Sequence, residues 1–400
     1  MEKVVFVNHL PLGSASSYRQ AGLAKYLGRL GYHPDLVGRA GKASVRSEGG
    51  SAGPGSAFPF DRTFLWREPI GGRPLQNALL AASATKGAAI VHVNRASPYT
   101  ATLLGFGLVP RDYALVVDME DWDGYGGYSS YARKRGPRGW LLTAYERSFP
   151  RAADAVLVVS ERLRSYMLSI GVEEEKIFNI PNGFDEEFFH PDIDPTAVRK
   201  QYGFGNSPTV MYSSALWSFE RRQHEVALEA FKKARSEVPG AKLLLTGAGD
   251  FDVKKVVRDM GLEDSVVLTG FVPRSQMPEL MAAADVALHV ISYHPFHQAS
   301  SPMIISEYMA MGRPIVAPRS GEIATMLSDG VGMLVDGLDP SAMGAALARL
   351  LGDASLRARL GQRAIIRSRE RYSYRVAAAH LREAYAEACS ARSPPRRFGP

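Results

Sequence analysis

Short apolar runs rich in valine and isoleucine alternate with helical patterns along the whole chain, and few folds tolerate that alternation. A strand buried on both faces reads as a continuous apolar run. Helices between such runs make it part of a parallel sheet covered on both sides. In the first half, strands are expected near residues 4–8 (VVFVN), 88–93 (AAIVHV), 114–119 (ALVVDM), 155–160 (AVLVVS) and 177–180 (IFNI). In the second half they are expected near 209–214, 242–247, 266–271, 286–291, 314–318 and 332–336. A chain of 400 residues exceeds what one hydrophobic core usually organises. The reading is therefore α/β, with two Rossmann-like doubly wound domains and ligands in a cleft facing the carboxyl ends of both sheets. The boundary is expected near Asn182 to Pro191, where a Gly-Phe-Asp turn precedes Phe188, Phe189 and Pro191, aromatics suited to packing between domains.

Within that frame, SSPMIISEYMAMGRPIVA (300–317) reads as a helix start followed at once by a buried strand. Ser301 is a good N-cap and Pro302 a good first helical residue, which leaves the amides of Met303 and Ile304 at the positive end of a helix dipole. Such an end binds phosphate without help from side chains. Glu307, on the second turn, is within reach of the same mouth and could accept hydrogen bonds from vicinal hydroxyls such as those of a ribose. Gly312 stops the helix before the apolar PIVAP. These features point to a nucleotide-sugar site; the alternative is an ordinary helix-turn-strand unit with a surface glutamate.

Composition narrows the classes. The single cysteine, Cys389, excludes internal disulfides and cysteine-rich metal sites and fits a reducing compartment. No stretch approaches the length of a spanning helix, so a cytoplasmic protein is expected. A net charge of +7 allows attraction to phosphorylated substrates or an anionic membrane face, while no module that reads RNA or DNA is recognisable. Part of the excess lies in residues 391–400, read as a basic tail. Residues 38–57 are rich in Gly, Ser and Ala and read as a mobile loop. Residues 124–139 mix tyrosines with basic side chains, either as an acceptor or membrane contact or as a solvated basic loop.

EYMAMGRPIVA resembles the donor-site signature of the GT-B glycosyltransferases, in particular the retaining family 4. Two further segments agree. ADAVLVVS (153–160) followed by IFNIPNGFDEEFFHP (177–191) is similar to that family's domain junction, and residues 4–37 resemble its first strand, glycine loop and helix. The resemblance implies an N-terminal acceptor domain, residues 1–183, completed by a final helix near 373–390, and a C-terminal donor domain, residues 184–372. It also implies transfer of a sugar from a nucleoside diphosphate to a hydroxyl with retention and without metal. The leaving phosphate then helps to deprotonate the acceptor.

The same resemblance suggests where the chemistry sits. Relatives usually carry an arginine just after the second domain's first strand and a lysine later, both reaching the diphosphate. Here Ser213 or Ser214 stands at the first position, and Arg221 or Arg222 is the candidate phosphate partner, unless both belong to an ordinary exposed helix start. Gly247 gives glycine backbone near a strand end, which is also what a simple turn needs. Phe271 and Val272 match a base-contacting region, or else a strand end with a buried aromatic. Gly13 and Ser14 form a loop that could approach the diphosphate, or a plain strand-helix turn. Asp118, Glu120 and Asp121 fall at a strand's carboxyl end, either to orient the acceptor hydroxyl or to cap the next helix.

Three departures from the family pattern stand out. Glu120 occupies the position of a histidine, Ala299 that of a donor-contacting glutamate, and Ile304 that of a lysine found in some relatives. They motivate a competing reading, a nucleotide-sugar-binding or regulatory subunit without turnover, and more remotely a GT-B sugar-nucleotide epimerase. No metal-ligand cluster has convincing spacing; His294 and His297 read as loop residues. The expected partners are a nucleotide sugar and a hydroxyl acceptor, for which lipid-linked, phosphorylated, soluble and protein acceptors all stay open, together with peripheral membrane contact.

Overall fold

The computed structural model describes residues 2–39, 59–66, 74–97, 111–132 and 136–391. Most of the Gly-Ser-Ala loop (40–57), residues 133–135 of the basic tyrosine loop and residues 392–400 of the tail lie outside the described residues. The chain divides into two compact units. The first comprises Met1–Asn182, Ala299–Ser301 and Tyr374–Pro400; the second comprises Gly183–Gln298 and Pro302–Ser373.

In the first unit β1 (Lys3–Pro11), β2 (His33–Arg39), β3 (Arg62–Trp66), β4 (Ile90–Asn94), β5 (Ala114–Met119), β6 (Ala155–Val158) and β7 (Ile177–Asn179) form one sheet. Its order is β3-β2-β1-β4-β5-β6-β7, and every neighbouring pair is parallel. The order reverses between β1 and β4, which marks that point as the binding crevice of a doubly wound sheet. β4 and β5 are buried along their whole length, as a central strand covered on both faces must be. Two strands were not anticipated. β2 contains Pro34 and Gly38, and β3 contains a charged residue, so neither reads as a valine-rich run.

The C-terminal helix Tyr374–Ser390 belongs to this unit. It buries Tyr374, Ala377, Ala378, Leu381, Ala384, Tyr385 and Ala388, the stripe of an amphipathic helix. Its first turn presses on the first helix, Ala15–Arg29: a Cβ added to Gly22 would stand 2.2 Å from the Tyr374 ring.

In the second unit β8 (Thr209–Ser213), β9 (Lys242–Thr246), β10 (Val266–Gly270), β11 (Val286–Leu288), β12 (Ile315–Pro318) and β13 (Met333–Val335) form a parallel sheet of order β10-β9-β8-β11-β12-β13. The reversal here lies between β8 and β11. The junction aromatics pack differently from expectation: Phe184, Phe189 and, partly buried, Phe188 join the hydrophobic core of this unit. Phe184 is also pinned by its amide to the Tyr372 carbonyl at 3.0 Å.

Gly22→Ala should destabilise the protein by about 1–3 kcal/mol, because the Tyr374 ring has no slack against a helix backbone. Thermal unfolding checks this; a melting curve that superimposes on the parent's would remove the contact from the account.

Candidate functional site

At the first unit's reversal point, Gly13 (φ +91°) and Ser14 join β1 to the first helix. Ser14 caps that helix by accepting from the Ser17 amide at 3.4 Å. The Gly13 amide is already engaged by Ser17 Oγ at 2.9 Å. Gly13 therefore supplies left-handed backbone rather than a donor, and the anion-binding capacity of this end rests on the remaining first-turn amides.

The acidic trio beside it does not form one open cluster. Asp118 is fully buried, and Arg19 grips both its oxygens, Nε to Oδ2 at 2.8 Å and Nη2 to Oδ1 at 3.1 Å. Arg19 directs its remaining donors to the carbonyls of Ile180 and Pro181, both at 2.9 Å, and to Asn182 Oδ1 at 3.1 Å. His92 stands 3.3 Å from Asp118 through Nε2 and 2.7 Å from the Tyr385 hydroxyl through Nδ1. Burial opposes the Asp118 charge, but Arg19 and His92 outweigh it and hold the carboxyl below its ordinary value. Asp118, expected to orient an acceptor, is a buried carboxylate with both oxygens engaged inside the unit.

Glu120 differs. It is buried, accepts from Asn94 Nδ2, and is pushed up to about 7, first by burial and then by the Asp118 charge, with Arg19, Arg95 and Ser16 opposing. Asp121 is one-fifth exposed and paired with Arg95, which also reaches Asp123 at 3.0 Å. Arg95 adopts a left-handed backbone (φ +60°), and its amide bonds the Asp118 carbonyl at 2.9 Å. A non-glycine residue held there costs energy and is typical of functional positions. None of the three acids caps the next helix: Tyr128–Tyr131 starts from Gly127 without a side-chain cap.

In the second unit the helix directly before β12 runs Met303–Ala310, with Pro302 at the cap position and no side-chain cap bond. Ser301 is not the cap that its sequence position suggested. It belongs to the first unit, where Asn182 Nδ2 donates to its carbonyl at 2.8 Å, and its own hydroxyl is buried without a partner. Met303 is half-buried, and Ile304 packs against the second unit's core. Glu307 is 2% exposed rather than on the surface, and Arg274 donates to it at 2.5 Å while lying over the Phe189 ring. Arg274 follows the turn after β10, so the Phe271–Val272 segment and Glu307 are brought together. Phe271 is 78% exposed, which rules out the buried-aromatic alternative, and Val272 packs on the core.

Two expected anion ligands are engaged within the second unit itself. The Gly247 amide donates to the Gly270 carbonyl at 2.9 Å, and a Cβ at Gly247 would stand 1.8 Å from the Ser214 carbonyl oxygen. Its glycine is needed for loop packing. Arg221 and Arg222 are mostly exposed and pair with Glu225 and Glu229 of their own helix, as charges on a solvated helix start do. Among the described residues no three His, Cys, Asp or Glu converge as a metal site; His297 bonds Ser292 Oγ and Glu220.

Sequence reading passed over Arg19, His92, Asn94, Arg95 and Arg274. For Arg19 a signal existed: it shares the buried face of the first helix with Ser16, Gln20, Leu23 and Leu27. A charge on a buried stripe implies a buried partner.

Residues 21–188 match the family described as Glycosyltransferase Family 4, and residues 207–353 match that described as Glycosyl transferases group 1. Both halves of the chain are thus similar to family 4 and group 1 glycosyltransferases. Over 255 residues it is 29% identical to a GDP-mannose-dependent alpha-(1-6)-phosphatidylinositol monomannoside mannosyltransferase of Mycolicibacterium smegmatis, covering 61% of this chain and 66% of that one. A D-inositol 3-phosphate glycosyltransferase of Xylanimonas cellulosilytica is 28% identical over 64% of this chain and 62% of its own length. The match thus spans just under two thirds of these relatives. Among solved structures, Anabaena HepE in complex with UDP-glucose superimposes with a TM-score of 0.74 at 17% identity, covering 96% of this chain and 100% of that one, which establishes the shared GT-B fold.

Asp118→Ala should cost about 3–5 kcal/mol, because it strands a buried guanidinium, whereas Arg221→Ala and Arg222→Ala should each stay within about 0.5 kcal/mol of the parent. Chemical denaturation separates the two classes. For Glu120 the folded state binds a proton that the unfolded state has released between its unfolded pKa and about 7, so stability falls as pH rises through that window. Glu120→Gln should flatten this slope by up to ~1.4 kcal/mol per pH unit. Glu146, raised to about 8 by burial and Asp123, continues the decline above it. An unchanged slope below pH 7 in the Gln variant would show that Glu120 is not the titrating group.

Proposed function

We propose that this protein transfers a sugar from a nucleoside diphosphate to a hydroxyl acceptor, with retention of configuration and without a metal cofactor. The observation that carries this reading is the Glu307–Arg274 pair at the base of helix Met303–Ala310. A buried carboxylate held by one arginine keeps lone pairs for vicinal hydroxyls, and the helix start beside it favours a diphosphate. Charge relief for the leaving group then comes from amides and the helix dipole rather than from Arg221 or Arg222. The departing phosphate accepts the acceptor's proton on the same face, in keeping with Asp118 being unavailable as a base.

The named acceptors of the relatives above, phosphatidylinositol monomannoside and D-inositol 3-phosphate, share a phosphorylated polyol. A phosphate-bearing acceptor, free or lipid-linked, is the class we favour for this chain. Arg95, at the first unit's crevice and paired with Asp121 and Asp123, is the cation we assign to such a group.

One observation favours the reading without turnover. Ala299, at the position of the family's donor-contacting glutamate, is fully buried in the first unit, and its carbonyl accepts from Ser160 Oγ at 2.6 Å. In a transferase this site leaves the sugar to other groups.

Thermal unfolding with UDP, GDP, ADP and dTDP is the direct test. A nucleotide at about a hundredfold its dissociation constant should add ~2.7 kcal/mol to stability. Glu307→Gln should weaken that nucleotide about tenfold or more by disturbing a charge-assisted bond. Donor hydrolysis or transfer that persists in EDTA supports the metal-independent enzyme. Nucleotide binding with neither transfer nor hydrolysis, across phosphorylated polyol acceptors, would favour the binding subunit instead.

A further inference from the structure

Three strands of the second unit end in polar side chains on one face. The last apolar residues of these strands alternate between two cores. Tyr212, Leu245, Leu288 and Val290 enter one; Met211, Leu244, Ala287 and Ile291 enter the other, together with Ile305, Tyr308 and Met309 of helix Met303–Ala310. Because successive side chains take opposite faces, Ser213, Thr246 and His289 fall on the side that this helix covers. Register then sets them next to one another. Ser213 pairs with Thr246, and the pairing of Tyr212 with Leu288 brings His289 beside Ser213. The His289 amide continues the ladder by donating to the Val316 carbonyl at 2.9 Å. The row thus crosses β9, β8 and β11 at their carboxyl ends, where the sheet order reverses.

Hydrogen-bonding capacity is left over along this row. Both ring nitrogens of His289 are shielded from solvent and have no partner among the described residues, and the same holds for Thr246 Oγ1 and the Tyr308 hydroxyl. Tyr308 is fully buried beside Ser213 and Thr246 is 1% exposed, whereas His289 is half-buried and so lines the crevice. Buried polar atoms are normally paired, and a run of unpaired ones marks a place for a ligand or an ordered water. His297, in the loop that follows, is different: its nitrogens are engaged by Ser292 Oγ at 2.8 Å and Glu220 at 3.2 Å. Burial, then His297, pushes His289 down to about 4. Near neutral pH it is therefore an uncharged imidazole that offers one N–H.

We propose that His289 donates a hydrogen bond to the diphosphate of the nucleotide sugar and so positions it in the second unit. A diphosphate only accepts, and it meets an imidazole N–H on the sheet and the positive end of a helix dipole on the same face. The arginines expected to hold it, Arg221 and Arg222, are turned to Glu225 and Glu229 of their own helix. A neutral donor supplies direction where a cation would supply charge. The inference rests on the transfer reading above and adds to it the side chain on which the diphosphate depends.

The test is titration of the full chain with UDP, GDP, ADP and dTDP by calorimetry, and with the matching nucleosides by saturation-transfer NMR. For the nucleotide that binds the parent, His289→Ala should weaken the diphosphate about tenfold and leave the nucleoside unchanged. His289→Gln keeps an N–H donor and should stay within about threefold of the parent. In the parent itself the diphosphate, but not the nucleoside, should shift the imidazole nitrogen resonances of His289, a readout that stands even if the alanine variant proves unstable. Equal diphosphate affinity in parent and His289→Ala would overturn the proposal and leave the row to ordered water. Equal losses for diphosphate and nucleoside would also overturn it, by making His289 a packing residue. If none of the four nucleotides binds the parent, the transfer reading falls and this inference with it; binding that ignores His289 removes this inference alone.

Discussion

The buried bond between Arg19 and Asp118 organises the first unit. A guanidinium without solvent must satisfy five donors, and here each has an acceptor: two on Asp118, two backbone carbonyls at residues 180 and 181, and Asn182. One side chain thereby fixes the first helix, the carboxyl end of β5 and the last residues before the chain leaves the unit. His92 extends the network to Tyr385 on the C-terminal helix. A buried charge pair of this kind contributes little net stability over an apolar alternative, but it tolerates no partial removal. Its effect is positional, since the same interactions that satisfy Arg19 set the crevice where the sheet order reverses.

The second unit solves a smaller version of the problem. Glu307 is buried with one cation, Arg274, which rests on the Phe189 ring. The phenylalanine read as a domain-junction aromatic thus serves as a platform inside the second unit. The turn after β10, which carries Phe271 and Val272, is tied to the same carboxylate through Arg274. Backbone and one ion pair do most of the shaping, and this leaves few side-chain signatures for a sequence to display.

What was legible followed from periodicity and turn chemistry. Continuous valine-rich runs gave the central strands, because full burial on both faces forces that composition, and GRPIVA gave a helix stop and the next strand. β2 and β3 escaped because proline, glycine and a charged residue interrupt their pattern. The arginines separate into local and long-range partners. Arg221 and Arg222 attract attention as a doublet yet pair with glutamates one and two turns on, while Arg19 and Arg274 stand singly and find partners 99 and 33 residues away. Local sequence carries i,i+4 relations; long-range ion pairs are set by topology, which must be known first.

Asp118 and Glu120 show how two neighbouring carboxyls divide a charge between them. Residues two apart along an extended chain share a face, and two buried carboxylates there cannot both ionise freely. Arg19 settles the division by stabilising the charge on Asp118, and Glu120 is left to rise to about 7. A histidine changes protonation in the same range. Near neutral pH either side chain can donate a hydrogen bond in its protonated form and accept one when deprotonated. The glutamate differs in being neutral when it donates and charged when it accepts, the reverse of imidazole.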